Sequence, residues 1–313
     1  MIHLEDTNGG AVASAIASER HRMGSTTTGM VMTLLIVADE EHQADATAAA
    51  VASARQHPMR ILTLVPRPGK GPSRLDADIA VGGDDGPGEV AVIRLRGLLS
   101  EHANSVVIPL LLSDTPVVAW WPGAAPPIPG EDPLGRHAQR RITDAGSAKE
   151  PLHELAVLQA GYCPGDTDLS WTRLTPWRTA LAAALDQPFA PIQSGCVTAE
   201  RNSPSGPLFV SWLAERLGVP ITLKLGKGPD ITDVRLTSAA GDIAISRPDG
   251  STATLQRPQA PDSTIALPDR ELKDLMSEEL RRLDPDEAYA RALAGASCEV
   301  PAPSSPSKKA PAS

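Results

Sequence analysis

Asp168, Trp171, Arg173, Trp177 and Arg178 fall within the eleven residues DLSWTRLTPWR, in a chain whose aromatic content is only 3%. Asp166 and Asp168 stand two apart just ahead of them. Paired carboxylates can share general acid–base work, but the same residues cap helices and brace loops. Trp171, Thr175 and Arg178 share one face if helical geometry runs through the segment. Exposed, such Trp and Arg residues make up interface hot spots; enclosed, they pack as cation–π pairs between domains.

Trp120-Trp121 closes the apolar run VVAWW just before a proline. Successive strand residues point to opposite faces. One ring therefore enters the core while its neighbour faces a crevice or a partner, unless the proline-rich loop GAAPPIPGEDP covers both. Arg140-Arg141 is a possible anion contact or an ordinary solvated pair.

Other chemistries lack their residues. A dinucleotide-binding turn needs a glycine-rich stretch directly after the first parallel strand, and here that strand runs into ADEEHQAD. Gly69-Lys70-Gly71 and Gly226-Lys227-Gly228 lack the rest of a phosphate loop and suit turns. The seven histidines include no HExxH, and there is no GxSxG. Cys163, Cys196 and Cys298 are far apart and form no CxxC pair, so they read as core or incidental thiols. The expectation is no catalytic residue, no metal and no cofactor.

The elements that must carry these residues follow from periodicity. Residues 11–23 form an amphipathic helix, and Ser25–Gly29 break it. VMTLLIVAD, an alanine-rich helix over 44–56 and RILTLVP predict a strand–helix–strand unit with parallel pairing. Short strands follow near 77–81 and 90–94, separated by turn glycines at 82, 83, 86 and 88. Residues 105–112 suit either a helix or a strand, 117–122 a strand, and 134–141 and 152–160 helices. Asp168 caps one helix, and Thr175 caps the next with Pro176 at its first position. Beyond it lie a strand at 193–199, a helix over 208–217 closed by Gly218, and the strands ITLKL, DVRLT, DIAIS and TATLQ. Asp249-Gly250 turns the last two into a hairpin. Two amphipathic helices follow, the second opening at DPDE.

The predicted fold is an α/β N-terminal domain with a mixed, partly parallel sheet. An α+β C-terminal domain follows, with a mostly antiparallel sheet and C-terminal helices. The predicted divisions are a helix and lead-in over 1–26, the α/β domain over 27–165, the α+β domain over 166–297 and a disordered Pro/Ser/Ala tail over 298–313. A boundary at 187 fits the same pattern. The net charge of −9 disfavours nucleic acid. The start MIHLEDTNGG lacks signal-peptide regions, and Met30–Ala38 is far short of the ~20 residues of a membrane span. A soluble cytoplasmic protein with no membrane partner is expected.

Five strings in order, LDADIAVGGDDGPGEV, SVVIPLLLSDTPVVAWWPG, DPLGRHAQRRITDA, GYCPGDTDLSWTRLTPWR and EELRRLDPDEAYARAL, closely resemble the OpcA family of glucose-6-phosphate dehydrogenase assembly proteins in its actinobacterial form. The resemblance spans residues 27 to 295. It implies a non-catalytic protein that binds glucose-6-phosphate dehydrogenase, favours its active oligomer and raises its activity, supporting NADPH production in the oxidative pentose phosphate pathway. Cyanobacterial relatives are linked to redox control through cysteines, and the resemblance assigns no such role to Cys163, Cys196 or Cys298.

Under this reading Trp120, Trp121, Asp166, Asp168, Trp171, Arg173, Trp177 and Arg178 are the candidate partner-binding residues. The double variant Trp171→Ala with Arg178→Ala is then expected to lose activation while keeping its fold. The alternative is an enzyme or sensor that takes a phosphorylated sugar or nucleotide in an α/β crevice near Asp39 and Trp121, with Arg140, Arg141 or Arg178 on the anion. A purely structural oligomer is a third reading.

Overall fold

The computed structural model describes residues 1–22, 30–82, 88–186 and 189–298. The break at Ser25–Gly29, the turn glycines Gly83 and Gly86 and the tail beyond Cys298 lie outside the described residues. The chain divides into two compact units: Met1–Arg173 with Arg270–Ala290, and Leu174–Asp269 with Arg291 onward.

The first unit is built on eight strands: β1 (Ile2–Leu4), β2 (Met32–Val37), β3 (Met59–Arg67), β4 (Arg74–Val81), β5 (Glu89–Arg96), β6 (Val117–Trp121), β7 (Arg140–Thr143) and β8 (Asp166–Asp168). They lie in the order β1-β4-β5-β3-β2-β6-β7-β8. From β5 to β8 every pairing is parallel, whereas β4 joins β1 and β5 antiparallel. The parallel stretch has the doubly wound order, in which the direction of winding reverses between β2 and β6. Such strands are covered on both faces, which is why β2 and β3 read as nearly unbroken apolar runs.

Two clusters form the core, one on each face. Val12 and Ile16, from the helix Gly9–Arg22, join Leu35, Leu62, Ile93 and Trp121 on one. The helix Gln43–Ser53 packs the small side chains Ala46, Ala49 and Ala50 with Ile36, Ile61 and Trp120 on the other, together with Leu275 and Met276.

Two local expectations change. Residues 134–141 form a single 3-10 turn, Gly135–His137, and then β7, because parallel pairing with β6 outweighs their helical pattern. Asp166–Asp168 is a strand beside β7 and not a loop. The first compact unit runs to Arg173, beyond the boundary expected at 165, and also includes Arg270–Ala290. The ambiguous 105–112 stretch resolves into a short helix, Ala103–Val107, and a 3-10 turn, Ile108–Leu110.

β1 pairs with β4 at the sheet edge, and the residue Asp6 just beyond it is tied to the β4 carboxylate Asp76. Asp76 accepts the Asp6 N–H at 3.1 Å and the Arg74 Nε–H at 2.6 Å. Burial opposes its ionisation, but Arg74, the Asp6 N–H and Arg96 outweigh it and hold the carboxyl below its ordinary value. A depressed native pKa adds stability above the unfolded value of about 3.9 and loses it as the pH falls through the native one. Asp76→Asn should therefore show a deficit in urea unfolding at neutral pH that closes in acid. A deficit of equal size at both would show that the charge contributes nothing.

The second unit contains β9 (Ile192–Glu200), β10 (Ile221–Gly226), β11 (Ile231–Ser238), β12 (Gly241–Ser246), β13 (Thr252–Gln256) and β14 (Ser263–Ala266), ordered β10-β9-β11-β12-β13-β14. Only β9 and β10 run parallel, because the helix Ser205–Leu217 crosses between them. That helix buries Leu208, Phe209 and Leu213 and stops at Gly218, whose φ of 66° suits a residue without a Cβ. In the β12–β13 hairpin Asp249 accepts the N–H groups of Ser251 and Thr252 at 2.9 Å each. The helix Thr175–Leu185 has Pro176 in its first turn, but Leu174 and not Thr175 precedes it, with no side-chain cap. Among the described residues no helix is long and apolar enough to cross a membrane.

Candidate functional site

All four candidate tryptophans are enclosed. Trp120 and Trp121 are 0% and 3% exposed and point to opposite faces of the first sheet, each into its own cluster. A Cβ on Gly135 would meet the tip of the Trp121 ring at 3.2 Å, so the loop after β6 closes over that ring. Of the readings open for this pair, the covered one holds. Trp171 is 1% exposed. Its Nε1–H donates to Asp286 at 2.9 Å, and its ring lies 6.1 Å from that of Tyr289. In the second unit Trp177 is 2% exposed, lies 6.3 Å from the Phe209 ring and carries the Arg247 guanidinium 5.2 Å from its centroid.

The candidate charges are also committed internally. Arg140, at the start of β7, donates to the Glu279 carboxylate and, at 2.8 Å, to the Asp284 carbonyl. The second Glu279 oxygen accepts from the Thr172 hydroxyl at 2.6 Å. Arg141, on the opposite face of the strand, pairs with Asp166 and donates to the carbonyls of Ala138 and Pro164. The expected anion contact at Arg140 and Arg141 is corrected accordingly: both guanidinium groups are buried against internal acceptors. Arg173 makes a two-pronged pair with Asp144, at 2.7 and 2.9 Å. In the second unit the Arg178 Nη2 donates to the Thr175 hydroxyl at 2.7 Å.

Asp166 and Asp168 each have their own internal partners. Asp166 binds Arg141 and the Cys163 N–H. Asp168 is fully buried and accepts from the Thr143 hydroxyl at 2.7 Å and from the N–H groups of Ala145 and Ser170 at 2.8 Å each. The Ser170 contact is the helix cap expected of Asp168. Burial, aided by Asp144, raises the Asp168 carboxyl above its usual value against these donors. Burial also raises Asp166 and pushes the Tyr289 phenol well up.

This network serves as a clasp. Glu279 and Asp286 reach Arg140, Thr172 and Trp171 across more than a hundred residues of sequence. They fasten the returning Arg270–Ala290 segment to the sheet at β7 and the helix Leu169–Thr172. Sequence reading missed Glu279, Asp286 and Tyr289. The only hint was a string, EELRRLDPDEAYARAL, with more carboxylates than its basic residues balance.

A small crevice lies at the reversal point between β2 and β6. It measures about 260 Å³ and includes His42, Asp144, Ser147 and Arg173 in its lining. In a doubly wound sheet this is where a dinucleotide's pyrophosphate meets a helix N-terminus. Here Asp39 takes the helix-end position itself, accepting the His42 N–H at 2.9 Å and the His42 ring at 2.7 Å. Although burial opposes its charge, the His42 contacts hold its carboxyl below the ordinary value. A Cβ on Gly123 would meet the His42 ring at 3.0 Å, so that ring fills the space beside the turn. The turn residues do not fit a pyrophosphate. Among the described residues no group of three or more His, Cys, Asp and Glu is placed to hold a metal ion.

Fold and site define a two-unit α/β protein in which a doubly wound sheet, closed by a buried ionic clasp, is joined to a mostly antiparallel one. Residues 50–160 match the family model described as the N-terminal domain of the glucose-6-phosphate dehydrogenase subunit. Residues 164–293 match the model described as the C-terminal domain of the same protein. The chain belongs to the OpcA family that these two domain models define. The boundary between the matches lies close to residue 165, whereas the compact units place 164–173 and 270–290 with the first sheet.

No curated protein sequence matches the chain. Solved structures similar to it include a 3-ketoreductase from Actinomadura kijaniata in complex with NADP and TDP-benzene, at 11% identity and TM-score 0.46, covering 86% of this chain and 95% of that one. A dehydrogenase from Clostridium difficile aligns at 8% identity and TM-score 0.44, over 84% and 96% of the two chains. An oxidoreductase from Sinorhizobium meliloti aligns at 8% identity and TM-score 0.39, over 85% and 86%.

Proposed function

We propose that this chain is a non-catalytic assembly factor that binds glucose-6-phosphate dehydrogenase, favours its active oligomer and so supports NADPH production. The observation that carries the reading is the pair of family-model matches, which together run from residue 50 to 293 and are both described as domains of a subunit of that dehydrogenase. The acidic turn at Asp39 and the internal commitment of Arg140 and Arg141 support it, since neither arginine is left to receive a phosphorylated substrate.

The physical requirement on such a factor is modest. A protein shifts its partner's equilibrium only by binding one state more tightly than the other. A coupling of about 1–3 kcal/mol changes the active population severalfold or more. Trp120, Trp121, Trp171 and Trp177 are enclosed, so their rings do not present themselves to a partner.

Mixing the purified chain with its cognate dehydrogenase should give a complex of larger mass and a severalfold rise in turnover. Separate elution with unchanged kinetics would overturn the proposal.

A further inference from the structure

Arginines stand side by side on one face of the first sheet. Arg67 lies in register with Arg96, and Arg96 with Arg74, at the carboxyl ends of β3 and β5 and the start of β4. Register partners point to the same face, and so does Arg94, two residues before Arg96. Further in, the helix Gln43–Ser53 covers that face, where its Thr47 hydroxyl meets that of Thr63 at 2.8 Å. Like charges in neighbouring register positions repel, and the carboxylates nearby offset them unequally. Arg67 pairs with Glu40, Arg94 with Asp78 at 2.6 Å, and Arg74 with Asp76 at 2.6 Å and Glu5 at 3.3 Å. His3 sits between Glu5 and Asp78, at 3.2 and 2.6 Å. Arg96, in the middle of the row, has among the described residues only Asp76, at 3.9 Å, and its side chain is 47% exposed.

The same face continues into a cavity of about 800 Å³. Ala80, Val90 and Val92 lie on its sheet side, and Ala48, Val51 and Ala52 on its helix side. The chain passes from β3 to β5 through β4 with no helix between them among the described residues, so no crossover covers these strands. Asp78 belongs to both features, since it lines the cavity and pairs with Arg94. The arginine row therefore adjoins an apolar space of the size that small molecules occupy, roughly 300–1,000 Å³.

We propose that row and cavity together bind a small phosphomonoester with an apolar body. The phosphate lies at Arg96, between the forks of Arg67 and Arg94, and the body lies along Val90 and Val92. The place agrees with the general rule for open α/β sheets, whose ligands sit outside the carboxyl ends of the strands. A field from several of these groups already acts on one carboxylate. The Arg67 contact, opposed by burial and helped by Arg94 and Arg96, holds Glu40 below its ordinary value.

Phosphate suits the row better than a carboxylate does. A carboxylate is filled by one guanidinium fork, whereas a phosphate has three oxygens and close to two charges near neutral pH, enough for several. The cavity has a second cation, Arg55, but it follows the helix at the opposite end from Gln43 and the arginine row. Lys273, also in the lining, is held by Glu271 at 2.6 Å.

The proposal does not rest on the dehydrogenase, and neither does its test. Calorimetry of the full chain in phosphate-free buffer uses phenyl phosphate, inorganic phosphate and phenol as probes. Phenyl phosphate should bind with a Kd below about 1 mM, inorganic phosphate more weakly, and phenol not measurably. Arg96→Ala should weaken phenyl phosphate about tenfold or more with the circular dichroism spectrum retained, and Arg55→Ala should leave it unchanged. Ala48→Gln puts a longer polar side chain into the cavity wall and should weaken phenyl phosphate but not inorganic phosphate. If Arg96→Ala fails to fold, Arg96→Lys, which keeps the charge and loses the fork, should still bind phenyl phosphate more weakly. A wild type that binds none of the probes overturns the proposal, including the case where the row proves to hold an acidic segment of the dehydrogenase. So does a folded Arg96 variant that binds like the wild type, or a loss with Arg55→Ala as large as with Arg96→Ala. Inorganic phosphate binding as tightly as phenyl phosphate, or unchanged phenyl phosphate binding by Ala48→Gln, overturns it as well.

Discussion

Glu279→Ala should destabilise the first unit by about 3–5 kcal/mol, because removing one member of a buried ion pair leaves the other charged and unsolvated. Arg140 is that other member, and it is almost completely enclosed. The same change takes the acceptor from the buried Thr172 hydroxyl. For a unit of this size the melting temperature should fall by about 10 °C or more. Because Glu279 lies on the helix Leu272–Glu279, the loss should begin as release of Arg270–Ala290, seen as early proteolytic cleavage there. A buried pair can often be replaced by apolar side chains at little cost. Arg140→Met with Glu279→Leu should thus be more stable than Glu279→Ala alone. A Glu279→Ala protein that melts like the wild type would show that the clasp carries no weight.

Trp171→Ala should cost about 3–5 kcal/mol, the usual range for emptying a large buried aromatic site. The ring is enclosed and packs against Tyr289, and its Nε1–H donates to Asp286. Asp286 also receives the Ala288 and Tyr289 N–H groups at 2.9 Å each, so its carboxylate remains partly satisfied when the indole is lost. Trp171→Phe keeps most of the ring volume and should cost only about 1–2 kcal/mol, the contribution of the hydrogen bond. Equal losses for Phe and Ala would mean that the hydrogen bond, and not packing, is what matters.

These values reverse one expectation drawn from the sequence. For Trp171→Ala combined with Arg178→Ala to remove activation and spare the fold, the indole must be exposed. An enclosed one makes instability the first effect of the double variant. Any loss of activation must then be separated from unfolding by using Trp171→Phe.

The composition of DLSWTRLTPWR was legible, but its role was not. Tryptophan and arginine side by side suit a docking surface and a buried clasp equally well. What distinguishes them is whether an acceptor and a covering ring arrive from elsewhere in the chain. Here they come from Glu279, Asp286 and Tyr289. Nothing local to residues 168–178 encodes their arrival.

The elements that local pattern does encode were legible directly. Unbroken apolar runs define β2 and β3, because a strand covered on both faces has no polar side. Gly218 closes the helix Ser205–Leu217, and Asp249-Gly250 turns the β12–β13 hairpin, because those backbone angles restrict the side chain at the position itself. The absence of a glycine-rich turn after β2 is likewise a local fact, and the acidic residues found there give it its physical meaning. By contrast, β7, β8 and the return of Arg270–Ala290 were decided by tertiary structure alone. β7 and β8 are short and largely polar and acquire strand geometry only from neighbouring strands, and the returning helices find their paired charges only in partners distant in sequence. A local window cannot contain the partner that makes burying Arg140 or Asp168 tolerable.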